Sequence, residues 1–158
     1  MNSLEDIEAL VQHAHLYHAR IYVTVNTILK EEELKETEEM IHALYRVGVD
    51  ALIVQDMGIT KLNLPPIPLH ASTQMAVTGP EGMKFLEEQG AARVVAAREL
   101  SLEELAAMHR KSSIEIEAFV HGALCYSFSG QCLMSSILGG RSGNRGRCAQ
   151  PCRLPYQV

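Results

Sequence analysis

Short apolar segments alternate with amphipathic ones along most of the chain, and that alternation leaves few folds open. Ser3 is an N-cap for a first helix, with Glu5, Asp6 and Glu8 at its positive end and Ile7, Leu10, Val11 and Ala14 at helical spacing. Residues 20–26 (RIYVTVN) are β-branched and aromatic and predict a strand. Residues 31–47 predict a second helix that turns Leu34, Ile41, Leu44 and Tyr45 inward and stops at Gly48. Further strands are expected at 51–55, 69–72, 93–97 and 114–121, and further helices at 79–89 and after Ser101. The Ser101/Glu104 spacing is a capping box, and SLEELAAM (101–108) echoes SLEDIEAL (3–10). Residues 61–68 hold three prolines and read as loop.

Strands that alternate with helices pair in parallel through crossovers. Five strands in 158 residues are too few for a closed eight-stranded barrel, which needs about 200–250 residues. The expected fold is therefore α/β: a partial (β/α) TIM-type barrel over residues 1–122, its mouth covered by a Cys/Arg-rich segment at 123–158. An incomplete barrel exposes strand edges and predicts self-association.

Charge divides the chain in the same place. Residues 118–158 contain no Asp, Glu or Lys and four Arg, whereas residues 1–117 carry ten basic against nineteen acidic residues, a net −9. A basic tail on an acidic body suggests a phosphate or polyanion partner. No apolar run approaches the roughly 18 residues of a membrane span, and the first residues lack the pattern of a signal peptide. Both point to the cytoplasm.

Ligands of parallel α/β folds bind beyond the C-terminal strand ends. The polar residues expected there are Asn26, Gln55, Asp56, His70, Ser72, Gln74, Arg98, Glu99 and His121. Of these, Asn26, Gln55, Asp56, Gln74, Arg98 and Glu99, with Arg141, Arg145 and Arg147 from the tail, are candidate substrate-binding residues. Strand periodicity in 114–121 places Ile114, Ile116, Ala118 and Val120 on one face and Glu115, Glu117, Phe119 and His121 on the other. The second face is expected to point into the barrel. Glu117, His121 and His70 are candidate proton carriers, with Glu117 paired to Arg93 or Arg98 as the structural alternative.

Cys125, Cys132, Cys148 and Cys152 all fall in the last quarter, spaced C-x6-C-x15-C-x3-C. In a reducing compartment disulfides are disfavoured. The spacing leaves open an iron–sulfur cluster, a zinc site and a free or catalytic thiol.

Glu117-x-Phe119-x-x-Gly122-Ala123-Leu124-Cys125-x4-Gly130-x-Cys132-x-Met134-Ser135 resembles the signature of peptidase family U-32, the collagenase-like peptidases, and HASTQ (70–74) and GGRSGNRGRCAQPCRLPY (139–156) are similar to it as well. Typical members are longer and begin with an LLAPAG-type strand, so the resemblance implies an internal piece of a member. It implies either peptidase activity on proteins such as collagen or hydroxylation of rRNA, tRNA or a ubiquinone precursor. In the hydroxylation proteins, Cys125, Cys132, Cys148 and Cys152 correspond to ligands of a 4Fe–4S cluster, and prephenate serves as an oxygen donor. The expected function is thus Fe–S-dependent RNA hydroxylation. A peptidase, with Cys125 and His121 as nucleophile and base or with His70 and His121 holding a metal, is the alternative, and a binding module in a larger assembly is a third reading.

Overall fold

The computed structural model describes residues 2–122 and 125–157. The N-terminal three quarters are built of α1 (Leu4–His15), β1 (Tyr22–Val25), α2 (Leu34–Arg46), β2 (Ala51–Val54), β3 (Leu69–Ala71), α3 (Pro80–Glu88), β4 (Ala91–Val95), α4 (Leu102–Lys111) and β5 (Glu115–Glu117). The five strands form one parallel sheet in the order β1-β2-β3-β4-β5. Sequential parallel order with right-handed crossovers puts every helix on one face, which is how an α/β barrel is wound. The fold is a partial α/β barrel.

Local chemistry explains the helix starts. Ser3 and Ser101 each close a reciprocal capping box, with Asp6 and Glu104 respectively. Gly48 and Gly90, both at φ +89°, carry the chain out of α2 and α3 through a conformation that a Cβ disfavours.

Helix-facing strand residues and the helices form two cores. Val11, Val25, Ile41, Leu44, Leu52 and Val54 make the first, and Ala71, Met83, Leu86, Val94 and Met108 the second. The division follows from the β2–β3 connection, where only a 3₁₀ turn (Met57–Lys61) and the proline loop replace a crossover helix. Two expected core residues face outward: Leu10 is 50% exposed and Tyr45 41%. The buried stripes run 7, 11, 14 in α1 and 37, 41, 44 in α2, and each of these two residues lies about 100° off its stripe. Thr37 takes the place expected for a larger side chain, its hydroxyl donating to the Glu33 carbonyl at 2.8 Å.

The last strand is shorter than its β-type composition predicts. Ile114 and Ile116 pack on the second core as expected, but the ladder ends where Ala96 N–H donates to the Glu117 carbonyl. Past Val95 the neighbouring strand offers no further rung, so Ala118, Phe119, Val120 and His121 leave the sheet and are exposed. The C-terminal segment is not loop throughout: Met134–Gly139 forms a one-and-a-half-turn helix, α5, ended by Gly140 at φ +62°.

Candidate functional site

Cys125, Cys132, Cys148 and Cys152 line a single cavity of about 250 Å3, together with Gln74, Arg98, Phe128, Gly130, Gly143, Asn144, Gln150 and Arg153. Gln74 and Arg98 lie just past β3 and β4, so the cavity sits at the C-terminal ends of the strands. All four thiols are free, and only Cys132 is partly covered. Among the described residues no three His, Cys, Asp or Glu side chains converge closely enough to hold one ion. Gln150, held at φ +55°, directs its N–H to the Cys148 sulfur at 3.3 Å.

Three devices hold the thiol-bearing segment on the strand ends. The first is Ser129, which is fully buried. Its N–H and hydroxyl donate to the two Glu99 carboxylate oxygens at 3.0 and 2.9 Å, and its hydroxyl accepts from the Arg98 N–H and Nε at 3.2 and 3.3 Å. Burial pushes the Glu99 carboxyl upward, but the Ser129 donors outweigh it and hold the group below the usual carboxylate range. The second is Gly130, at φ +71°, where an added Cβ would stand 2.1 Å from the Gln74 carbonyl oxygen. The third is Arg145, whose guanidinium grips Glu33 with two bonds of 2.6 Å and also donates to the Ile28 carbonyl at 2.7 Å. Ile28 N–H in turn donates to the Asn144 carbonyl at 3.0 Å.

The Arg145 grip, with the Lys30 amide, lowers the Glu33 carboxyl from 4.5 to about 2. A carboxyl depressed on folding stabilises the folded form fully above its unfolded value, and that contribution disappears as pH falls through the folded one. The tether is therefore complete at pH 7 and weakens between about 4.5 and about 2. Glu33→Gln is expected to raise hydrogen exchange of residues 141–147 at pH 7 and to leave α4 unchanged. Equal exchange in both proteins would show that the tether does not order this loop.

Several residues expected to meet substrate are engaged within the fold. Arg145 holds Glu33, and Arg98 and Glu99 hold Ser129, as just described. Asp56 accepts from Leu29 N–H at 2.8 Å and Gly58 N–H at 2.7 Å, which orders the loops after β1 and β2. Asn26 donates to Ser72 at 3.2 Å. Arg141 donates from Nε to the Arg147 carbonyl at 3.1 Å, and both arginines are exposed. Gln55 and Gln74 line a second cavity, of about 640 Å3, and Gln74 lines the thiol cavity as well.

The candidate proton carriers are separated from the cysteines. His70 lies in mid-strand, 5% exposed, and lines a different cavity with Tyr22, Arg93 and Glu115. Its ring meets Tyr22 edge-on at 4.7 Å, and its Nδ1 is buried without a partner. Burial and then Arg93 push it below the ordinary imidazole range, so it is neutral at pH 7. Glu117 accepts from Arg93 at 3.1 Å, the structural pairing, and Arg93 also holds Glu115 and stacks 5.1 Å from the Tyr22 ring centre. His121 stands outside the sheet and is exposed. Ala123 and Leu124 of the signature lie outside the described residues. Ser129 was not singled out by sequence. Its only local signal is its place beside Gly130, because a lone serine shows no periodicity.

A protein-family model, Peptidase family U32, matches residues 1–158. The chain belongs to peptidase family U32. It is similar to the 23S rRNA 5-hydroxycytidine C2501 synthase of Escherichia coli, at 54% identity over 99% of this chain and 24% of the relative. It is also similar to tRNA hydroxylation protein P1 of Bacillus subtilis, at 38% identity over 99% of this chain and 38% of the relative. The chain thus spans well under half the length of these U32 relatives. A solved structure, that of the U32 peptidase Mk0906, shares the fold with a TM-score of 0.60 at 18% identity, covering 73% of this chain and 51% of that one.

Proposed function

We propose that this U32 chain is the cluster-bearing part of an RNA-hydroxylating enzyme. The observation that carries this reading is the gathering of four thiols around one cavity at the strand ends, in a chain whose relatives are named for rRNA and tRNA hydroxylation. The donor set fits a 4Fe–4S cluster better than zinc. Zinc needs four ligands at about 2.3 Å from one centre, and no such convergence exists among the described residues. A cubane cluster takes one thiolate at each of four irons, so its ligands surround a volume. The Gln150 amide and the lining arginines Arg98 and Arg153 supply the hydrogen bond and positive charge that a thiolate-bound cluster favours. Bound there, the cluster would supply redox chemistry.

The chain's own residues position and shield. Ser129, Gly130 and Arg145 seat the thiol segment, and the exposed Arg141 and Arg147 meet RNA phosphates, with affinity that falls as salt rises. Prephenate, a dicarboxylate, would find Arg98 and Arg153 in the cavity wall. Glu117 and His70 take no part in this reading, since Arg93 and a separate cavity hold them. His121, exposed four residues before Cys125, remains the proton carrier nearest the thiols in sequence. Four free thiols and relatives named for RNA hydroxylation support a cytoplasmic setting. The peptidase reading rests on names, those of the family and of relatives such as a collagenase of Porphyromonas gingivalis at 31% identity, and no arrangement of side chains at the cavity favours it.

Anaerobic reconstitution with iron and sulfide is expected to give a brown protein with about four irons per chain and absorption near 400 nm. Each Cys→Ser change is expected to reduce the bound iron. A colourless protein, or unchanged iron in all four variants, would overturn the proposal. Gelatin cleavage that depends on Cys125 would support the peptidase instead.

A further inference from the structure

We infer that Phe128 is a stacking platform at the mouth of the thiol cavity, and that the RNA is single-stranded where it meets this chain, with an unpaired base laid on the Phe128 ring. The inference rests on the RNA reading above and goes further by naming the form of the RNA and the side chain that holds it.

Phe128 lines the thiol cavity, yet 71% of it is open to solvent, so the ring stands at the rim. Its neighbours fix it there. Ser129 is fully buried between Glu99 and Arg98, and Gly130 is pressed against the Gln74 carbonyl. The Phe128 carbonyl accepts from the Gln131 N–H at 3.2 Å. The backbone is thus held on the sheet directly after Phe128, while the ring is left outside. A ring on a fixed backbone loses little freedom when a flat partner stacks on it.

The surroundings select the partner. Gly143, Asn144 and Cys148 form another part of the cavity wall. The same loop carries the exposed Arg141 and Arg147, joined by the Arg141 Nε bond to the Arg147 carbonyl. Residues 118–158 contain no Asp, Glu or Lys. An aromatic ring among arginines, in a segment without carboxylates, suits a flat group carried on an anionic backbone. A purely apolar partner gains nothing from the arginines. The bases of a duplex are already stacked on their neighbours, so only an unpaired base offers a face to the ring. The cavity volume agrees. At about 250 Å3 it is smaller than the usual small-ligand pocket of about 300–1,000 Å3, so a base beside whatever the thiols hold must sit at the rim.

The chain has no tryptophan, so Phe128→Trp introduces one indole whose emission reports stacking. The full chain is titrated with a short single-stranded RNA of mixed sequence and with that RNA annealed to its complement. Phe128→Ala is expected to weaken single-strand binding about tenfold and to leave duplex binding, which uses phosphates, unchanged. Phe128→Leu, apolar but not flat, should weaken it as alanine does. Phe128→Trp should bind as wild type does and lose emission as the single strand is added. Because the side chain is exposed, all three variants should keep the wild-type Tm. Single-strand binding that survives Phe128→Ala or Phe128→Leu, indole emission that the single strand leaves unchanged, or tighter binding of the duplex overturns the inference while the RNA reading stands. Emission that shifts with protein concentration before any RNA is added would show a second copy covering the ring, and overturns it too. If wild type binds neither form, the RNA reading and this inference fall together.

Discussion

Gly130→Ala is expected to lower stability by about 3 kcal/mol or more and Tm by about 6 °C or more. Two costs combine. The backbone there is at φ +71°, which a Cβ disfavours by about 1–2 kcal/mol. The added carbon would also stand 2.1 Å from the Gln74 carbonyl oxygen, so the thiol segment must lift from the strand end. Lifting it separates Cys132 from its partners, and iron uptake in reconstitution should fall with stability. Alkylation of Cys132, the one partly covered thiol, should accelerate while α1 and α2 keep their hydrogen-exchange protection. A variant with unchanged Tm and unchanged Cys132 labelling would mean that the contact between Gly130 and Gln74 does not seat the segment.

Ser129→Val is expected to cost about 3 kcal/mol. The side chain is completely buried, so two methyl groups in place of one hydroxyl overpack the site. The change also removes the hydroxyl donor to Glu99 and the acceptor for Arg98, leaving both partly unpaired. Urea unfolding of wild type, Ser129→Val and Ser129→Ala separates the two contributions: alanine loses the bonds without the overpacking and should cost about 1–3 kcal/mol. If valine proves no worse than alanine, the site has room and the packing argument is wrong. If both are neutral, the Glu99–Ser129–Arg98 group is not what holds the tail.

Much of the scaffold was legible in the chain because its signals are local. The two capping boxes involve residues three apart, and the glycines after α2 and α3 act through their own backbone. The period-two pattern correctly put Ile114 and Ile116 on the core and Glu115 and Glu117 on the other face. The same pattern overran the strand end, because a strand stops where its neighbour stops. Composition within one strand holds no record of that. The six-residue α5 was also invisible, being shorter than any window in which helical periodicity can show itself.

The polar residues divide in the same way. Sequence indicated which side chains gather near the strand ends, but not which of them another part of the chain would occupy. Glu33 and Arg145 are 112 positions apart, and Arg98 and Ser129 are 31 apart. Arg145, Glu99 and Asp56 looked like ligand-binding groups until the folded chain supplied their partners, and Arg98 holds Ser129 while still lining the thiol cavity.

By itself, then, the sequence determined the parallel α/β winding, the capped starts of α1 and α4 and the clustering of four cysteines in the last quarter, since each is written in neighbouring residues or in fixed spacing. Only the tertiary structure decided that the thiols face one cavity, that His70 and Glu117 belong elsewhere, and that Phe128 stands exposed at the cavity rim. Those outcomes depend on which distant groups meet when the tail docks on the sheet, and pairings of that kind arise from packing in three dimensions.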